Sequence, residues 1–396
     1  MILRTTLEHV FVSLGERISI RVPIGVSIRI PSRIIGCGGI ALLSLFLAML
    51  FACGSSESDS SDGGNQKQEQ PPPDARPVFG LAMHFHRLFN GMGSTPPSFK
   101  YSLARDWDIQ GIHLWEIWKS DGSLDFSLVD QVYSGHAGNG AKMIRVISGT
   151  PTWAARNPTE ADPQYNVLGR RSGPEDLDAY EDMIFRFITH NKQYLWGVEG
   201  ENEPFGCTTA DKQFFSGSPT LLADMQKRLY LATKRVDENI VVISPAQSYT
   251  CGIQSLLAEA KTSQGEPISN FFDIFGFHLY NNSANVVGPI GRSYESSIDE
   301  IKTWLTAVGL SQMKMADTEH GWGNWEPSGA QFLALSDDDK AKVIYETTRV
   351  AKDKGLVMLG WFSYESDFIG TPMSNAKVSQ GIENAFVDFA SFGFGK

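Results

Sequence analysis

The stretch WGVEGENEP, residues 196–204, places Glu199, Glu201 and Glu203 two positions apart, with Asn202 before the last. Residues two apart on a strand point to one face, so three carboxylates would share that face. On an exposed edge this is harmless. Inside a large domain it is costly unless the carboxylates perform chemistry. A second stretch, MADTEHGW at 315–322, carries Glu319 beside His320. Two carboxylates flanking one bond are what glycosidic hydrolysis requires. One protonates the leaving oxygen, and the other attacks the anomeric carbon or activates water. A separation of about 5 Å would mean a covalent intermediate and retention of configuration. The bland alternative for each glutamate is a solvated residue at the rim of a strand.

Such a pair needs a scaffold that brings distant segments together. From residue 78 onward, short apolar runs alternate with longer helical patterns, the signature of βα units around a parallel sheet. The spacing predicts strands at 77–84, 109–115, 142–148, 194–201, 239–246, 271–280, 313–319 and 359–366. Helices are predicted over 173–190, 218–237 and 336–355, each opened by Pro or acidic residues. Strands in this number, with helices between most of them, imply an α/β fold, a (β/α)8 TIM barrel. There is no repeat and no second domain. In such a barrel the active site forms at the carboxyl ends of the strands. Those ends are rich in polar and aromatic residues: His84, His86, Trp115, Trp153, Asn202, Glu203, Gln247, His278, Tyr280, Glu319, His320, Trp361 and Glu365. On this placement Glu199, Glu201 and Glu203 face the barrel interior at successive depths, with Glu203 at the rim. Indole rings nearby suit sugars, whose C–H faces lie on aromatic planes.

The chain has 396 residues and a net charge of −11. Its first 53 residues carry five Arg against two Glu, so the remainder is more acidic still. An acidic body argues against nucleic acid as a partner, since that binding needs a basic face. Residues 34–52 are apolar, follow Arg29 and Arg33, and lead into LFAC, in which small Ala52 precedes Cys53. This resembles a bacterial lipobox with Cys53 as the lipidated first residue of the mature protein. IIGC ending at Cys37 also fits the pattern, and a plain transmembrane anchor is the alternative. Either reading makes 1–53 a signal or lipoprotein leader and the body exported, held at the cell envelope. Residues 54–77 have almost no apolar side chains and read as a disordered tether. The catalytic body is then 78–396. It contains Cys207 and Cys251, which an oxidising compartment would allow to pair or leave as free thiols.

ENEP, followed a hundred-odd residues later by TEHGW, resembles the retaining glycoside hydrolases of clan A. The flanks FGLAMHFHR, ARDWDIQGIHLWEIW, GTPTWAA, YLWGVEGENEPF and FHLY are most similar to glycoside hydrolase family 39 and its bacterial relatives. The resemblance covers most of 78–370. It implies that Glu203 is the general acid/base and Glu319 the nucleophile. It implies further that Asn202 holds the substrate 2-hydroxyl, Tyr280 hydrogen-bonds the nucleophile and Trp361 floors the subsite of the cleaved sugar. His84, His86, Trp115, Trp153 and His278 become binding residues, and no cofactor or metal is implied. One departure stands out. Relatives commonly read EIWNEP where this chain reads EGENEP, so Glu201 replaces a tryptophan.

Two other readings compete. HFH at 84–86 with His278 is similar to the paired histidines of metal-dependent amidohydrolase barrels. That chemistry needs further ligands, and the fifth strand ends SPAQS without a histidine. A non-catalytic surface glycan-binding lipoprotein would keep the aromatics and lose one carboxylate, whereas both are present.

Overall fold

The computed structural model describes residues 17–21, 27–31, 79–85, 99–107, 109–248, 250–280, 293–322, 332, 334–363 and 375–390. The chain divides into two units, Met1–Pro71 and Pro72–Lys396. In the first, Arg17–Arg21 and Ser27–Pro31 form an antiparallel two-stranded ladder, within the segment for which the sequence suggested a leader and no strands. The apolar run 34–52, Cys53 and the tether 54–77 lie outside the described residues. Among the described residues no helix is long and apolar enough to cross a membrane.

The second unit is a closed barrel of eight parallel strands, the (β/α)8 architecture. In chain order they are β1 (Gly80–His84), β2 (Leu103–Arg105), β3 (Lys142–Val146), β4 (Leu195–Glu199), β5 (Val241–Ile243), β6 (Ile274–Leu279), β7 (Lys314–His320) and β8 (Met358–Trp361). β8 pairs back onto β1, with Met358 opposite Gly80. Strands covered on both faces read as nearly unbroken apolar runs, and IFGFHL of β6 is buried throughout. Ala82, Leu103, Ile144, Ile243, Ile274, Ala316 and Met358 fill the lower interior, and a larger apolar layer lies between barrel and helices.

The predicted helices form where their end signals stand. Leu177–Asn191 is capped by Asp176, whose side chain accepts from Asp178 N–H and Ala179 N–H. Pro219–Val236 starts on Ser218 with Pro in the first turn, and Asp337–Asp353 starts on Ser336 with three Asp after it. Side-chain oxygens satisfy the donors that a helix start leaves orphaned.

The second strand departs from expectation. Residues 109–115 are not a strand: β2 is the short Leu103–Arg105, and Leu114–Ile117 is a single helical turn capped reciprocally by His113 and Glu116. Gly111, at φ +92°, turns the chain between them. Ile109 and Ile112 are buried in the layer outside the barrel, so their hydrophobicity marks packing rather than pairing. Asp106, just past β2, is held by Arg145 at 3.1 Å, by Val146 N–H at 3.0 Å and by the Tyr133 hydroxyl at 2.5 Å. This buried knot fixes the end of β2 against β3.

β7 carries one residue more than its neighbours. Phe277 and His278 of β6 stand opposite Asp317 and Glu319, while Leu359 and Trp361 of β8 stand opposite Asp317 and His320. A bulge of this kind re-aims side chains. Thr318 and Glu319 both turn into the barrel, and Asp317 turns out to accept from Tyr294 at 2.9 Å. The bulged backbone would lie 2.4 Å, at the Thr318 carbonyl, from any Cβ at position 360, so glycine is required there.

A buried histidine links this packing to pH. His136 lies fully buried with Nδ1 3.0 Å from the Tyr101 hydroxyl, and burial lowers its pKa to about 3. The unfolded chain therefore binds a proton that the folded chain refuses, so stability is lost as pH falls from the unfolded value of about 6.5. Thermal melts of His136→Gln should lose less stability than wild type between pH 6.5 and 4; equal slopes would contradict this assignment.

Candidate active site

Arg105, at the end of β2, organises the carboxyl face of the barrel. Its Nε and Nη2 each donate at 2.8 Å to the two oxygens of Glu199, a bidentate fork. Nη1 donates to Glu319 at 2.5 Å, and Nη2 also reaches Asn202 Oδ1 at 2.9 Å. All four side chains are buried. Burial alone would lower the arginine's pKa, but Glu199 and Glu319 outweigh it and hold it above its ordinary value. Since a guanidinium only donates, the Asn202 oxygen faces it and the amide NH2 points away.

Glu319 ends β7 inside the barrel because of the bulge. One oxygen accepts from Arg105 and the other from the Tyr280 hydroxyl. Burial, then the charges of Glu319 and Glu203, push the Tyr280 pKa well up, so it stays a donor. Glu203 lies four residues past β4 with a backbone φ of +37°. That left-handed conformation is uncommon for a residue with a side chain and is characteristic of functional sites. Its Oε1 lies 2.6 Å from His278 Nδ1, and the same nitrogen is 3.7 Å from Glu319 Oε2. Oxygens of Glu203 and Glu319 and a ring nitrogen of His278 all lie within 4.8 Å of one another.

His278 is oriented from behind. Its Nε2 is 3.0 Å from Thr318 Oγ1, and the Thr318 hydroxyl donates to Glu199 Oε1 at 3.2 Å. With its one proton spent on Glu199, Thr318 can only accept, so Nε2 is the donor and Nδ1 faces Glu203. Burial would lower the imidazole pKa, but Glu319 and Glu203 outweigh it and raise it. By spacing alone the trio suits a divalent cation, yet Arg105 already sits on Glu319 and both imidazole nitrogens are engaged. His84 is buried at the end of β1 with its ring on Phe362, outside this group. His86 lies outside the described residues, as does Glu365.

One expectation is revised. Trp361 does not floor the pocket. Met358 belongs to the barrel interior, and three positions on, Trp361 has the opposite parity. Its ring packs on His320 at 5.1 Å and Trp322 at 5.5 Å, in the outer layer. Phe362 faces in instead, with its ring 4.5 Å from His84 and 5.9 Å from Tyr280. Counting parity from Met358 would have found it. Arg105 was overlooked because β2 has only three residues and a stronger apolar run follows it.

The remaining aromatics sit on the loops that leave β2 and β3. Trp115 is half-buried, stacked on His113 at 4.2 Å and lying over Arg170 at 5.3 Å. Trp153 is 44% exposed, and its indole N–H donates to the Trp118 carbonyl at 3.2 Å. Glu201 stands apart from the pair. Burial raises its pKa to about 7, against the Ser148 hydroxyl, Arg170 and Gly149 N–H, which pull it down.

No protein-family model matches the chain, and no curated protein matches it. Solved structures share its fold. One is a glucosidase from Croceicoccus marinus, at 17% identity and TM-score 0.52, covering 76% of this chain and 63% of that one. Another is a monomeric β-xylosidase from Caulobacter crescentus, at 15% identity and TM-score 0.53, covering 78% and 68%. A third is a GH39 enzyme from Xanthomonas axonopodis pv. citri, at 15% identity and TM-score 0.51, covering 72% and 58%. The chain thus spans under two thirds of the length of the first and third. At such identities the likeness is one of fold, and it agrees with the resemblance carried by ENEP and TEHGW.

Arg105→Leu would strand Glu199, and to a lesser degree the Tyr280-bonded Glu319, as buried carboxylates without a cation. Urea unfolding should show a loss of about 3–5 kcal/mol, much of it recovered in Arg105→Leu/Glu199→Leu. A double variant as unstable as the single one would contradict the pairing.

Proposed function

We propose that the chain is a retaining glycoside hydrolase that cleaves β-glycosidic bonds of an oligo- or polysaccharide by double displacement. The observation that carries this reading is the approach of Glu203 and Glu319 oxygens to within 4.8 Å at the ends of β4 and β7. Inverting enzymes keep their carboxyls about 6.5–9.5 Å apart to admit a water, whereas retaining ones hold them about 5–5.5 Å apart.

In the first step Glu319 attacks the anomeric carbon while Glu203 gives its proton to the leaving oxygen, forming a glycosyl ester on Glu319. In the second, Glu203 takes a proton from water, whose oxygen displaces Glu319 from the anomeric carbon. Arg105 and Tyr280 aim the nucleophile by holding one oxygen each. Asn202, with its oxygen turned to Arg105, presents its NH2 to the sugar 2-hydroxyl. Phe362 supplies an apolar floor, and the exposed Trp153 a platform for a sugar ring further along the chain. Glucosidase and xylosidase activities among proteins of the same fold support a neutral sugar as substrate, as does the acidic body.

We also infer export, with the body tethered through a lipid on Cys53. LFAC after an apolar run supports this, as does the disulfide-bonded state of Cys207, which suits an oxidising compartment.

Reducing-end assays on β-linked polysaccharides and aryl glycosides should detect turnover by wild type, and proton NMR should show the β-anomer forming first. Glu203→Ala and Glu319→Gln should each lose more than about 100-fold in kcat, with azide restoring Glu203→Ala alone. Turnover that survives Glu319→Gln would sink the assigned nucleophile. Separately, Cys53→Ser should move the protein from the membrane to the soluble fraction of expressing cells; unchanged fractionation would remove the lipid anchor.

A further inference from the structure

Glu201 is buried and takes no part in these steps. Backbone pairing of β3 with β4 ends where Ile147 N–H donates to the Glu199 carbonyl at 2.9 Å. One step further out, the Glu201 carboxylate continues the tie, accepting from the Ser148 hydroxyl and Gly149 N–H. Gly149 can present that N–H because it sits at φ +76°, where a Cβ would meet the Trp115 ring at 2.5 Å. On the opposite flank the tie is made by backbone. Gly200 N–H donates to the Ile243 carbonyl at 3.2 Å and Glu203 N–H to the Ala246 carbonyl at 2.9 Å.

Segment 200–203 is therefore clamped to β5 by its main chain and to β3 by one side chain. Both clamps matter because Glu203 is held at positive φ, and such strain persists only where the surroundings over-determine it. The clamp has its own counter-charge in Arg170, whose Nε bonds Asp162. Its guanidinium lies among Tyr165, Trp115 and Phe214 at 4.5, 5.3 and 5.8 Å, gathering the loops that follow β2, β3 and β4.

We propose that Glu201 is a positioning residue for the general acid/base, holding Glu203 on the leaving-group side by carrying the β3–β4 tie past the end of the backbone ladder. It touches no substrate and acts through Glu203. The inference rests on the glycosidase reading.

The test compares leaving groups on the full chain, using phenyl and dinitrophenyl β-xylosides and β-glucosides. Dinitrophenolate departs without a proton, whereas phenolate requires one. For Glu201→Ala, kcat/KM on the phenyl glycoside should fall roughly 10–100-fold, while the dinitrophenyl glycoside stays within about 3-fold of wild type. Glu201→Gln keeps an acceptor for Ser148 and Gly149 and should remain within about 3-fold on both. Should Glu201→Ala fail to fold, Ser148→Ala removes one donor of the clamp and should give the same leaving-group dependence in smaller measure. Equal loss with both leaving groups, or none with either, overturns the proposal. Hydrolysis by wild type that is untouched by Glu203→Ala overturns the acid/base assignment on which this inference rests, whereas no hydrolysis of any of these glycosides overturns the glycosidase reading itself.

Discussion

The carboxyl face of the barrel depends on one buried cation. Arg105 joins the ends of β2, β4 and β7 through Glu199, Asn202 and Glu319. Two carboxylates facing one another in a water-poor interior would repel, and burying them without a partner costs several kcal/mol per ion. The guanidinium resolves this by its shape as well as its charge. Its fork closes on Glu199 and still leaves Nη1 for Glu319, a geometry that a lysine cannot supply. A barrel held together in this way is fixed where a reaction would need it fixed.

Around that centre, Glu203 and Glu319 are each aimed by a local departure from regular structure. The extra residue in β7 turns Thr318 and Glu319 inward together, so the strand delivers both the Glu319 carboxylate and the hydroxyl that orients His278. The left-handed backbone at Glu203 turns the other carboxylate back over the strand ends toward His278. Such irregularities cost energy locally and survive because the regular barrel beneath them is rigid. The helices and the outer apolar layer serve that rigidity.

The electrostatics follow the same division. Glu199 is the structural carboxylate, committed to Arg105 and Thr318. Glu203 and Glu319 share His278 and differ in their other partners, Arg105 and Tyr280 lying on Glu319. Two like groups with unlike surroundings are what separate acid and nucleophile roles. Glu201 belongs to neither set, and its contacts run to the loops behind the site.

Much of this was written in the local sequence. Periodicity located seven of the strands and three helices, because hydrophobic spacing and caps are properties of a few neighbouring residues. The position of the ENEP and TEHGW carboxylates at strand ends was legible for the same reason: it is local information. What the sequence alone left undetermined involved partners far apart along the chain. Arg105 reads as a loop cation until the barrel closes and brings Glu199 and Glu319 against it, 94 and 214 residues away. Trp361 and Phe362 differ by one position, and only strand parity within the closed sheet decides which ring enters the pocket. The bulge at Thr318 arises from mismatched register with two neighbours at once. Pairing is a relation between strands, so the tertiary fold alone could decide it.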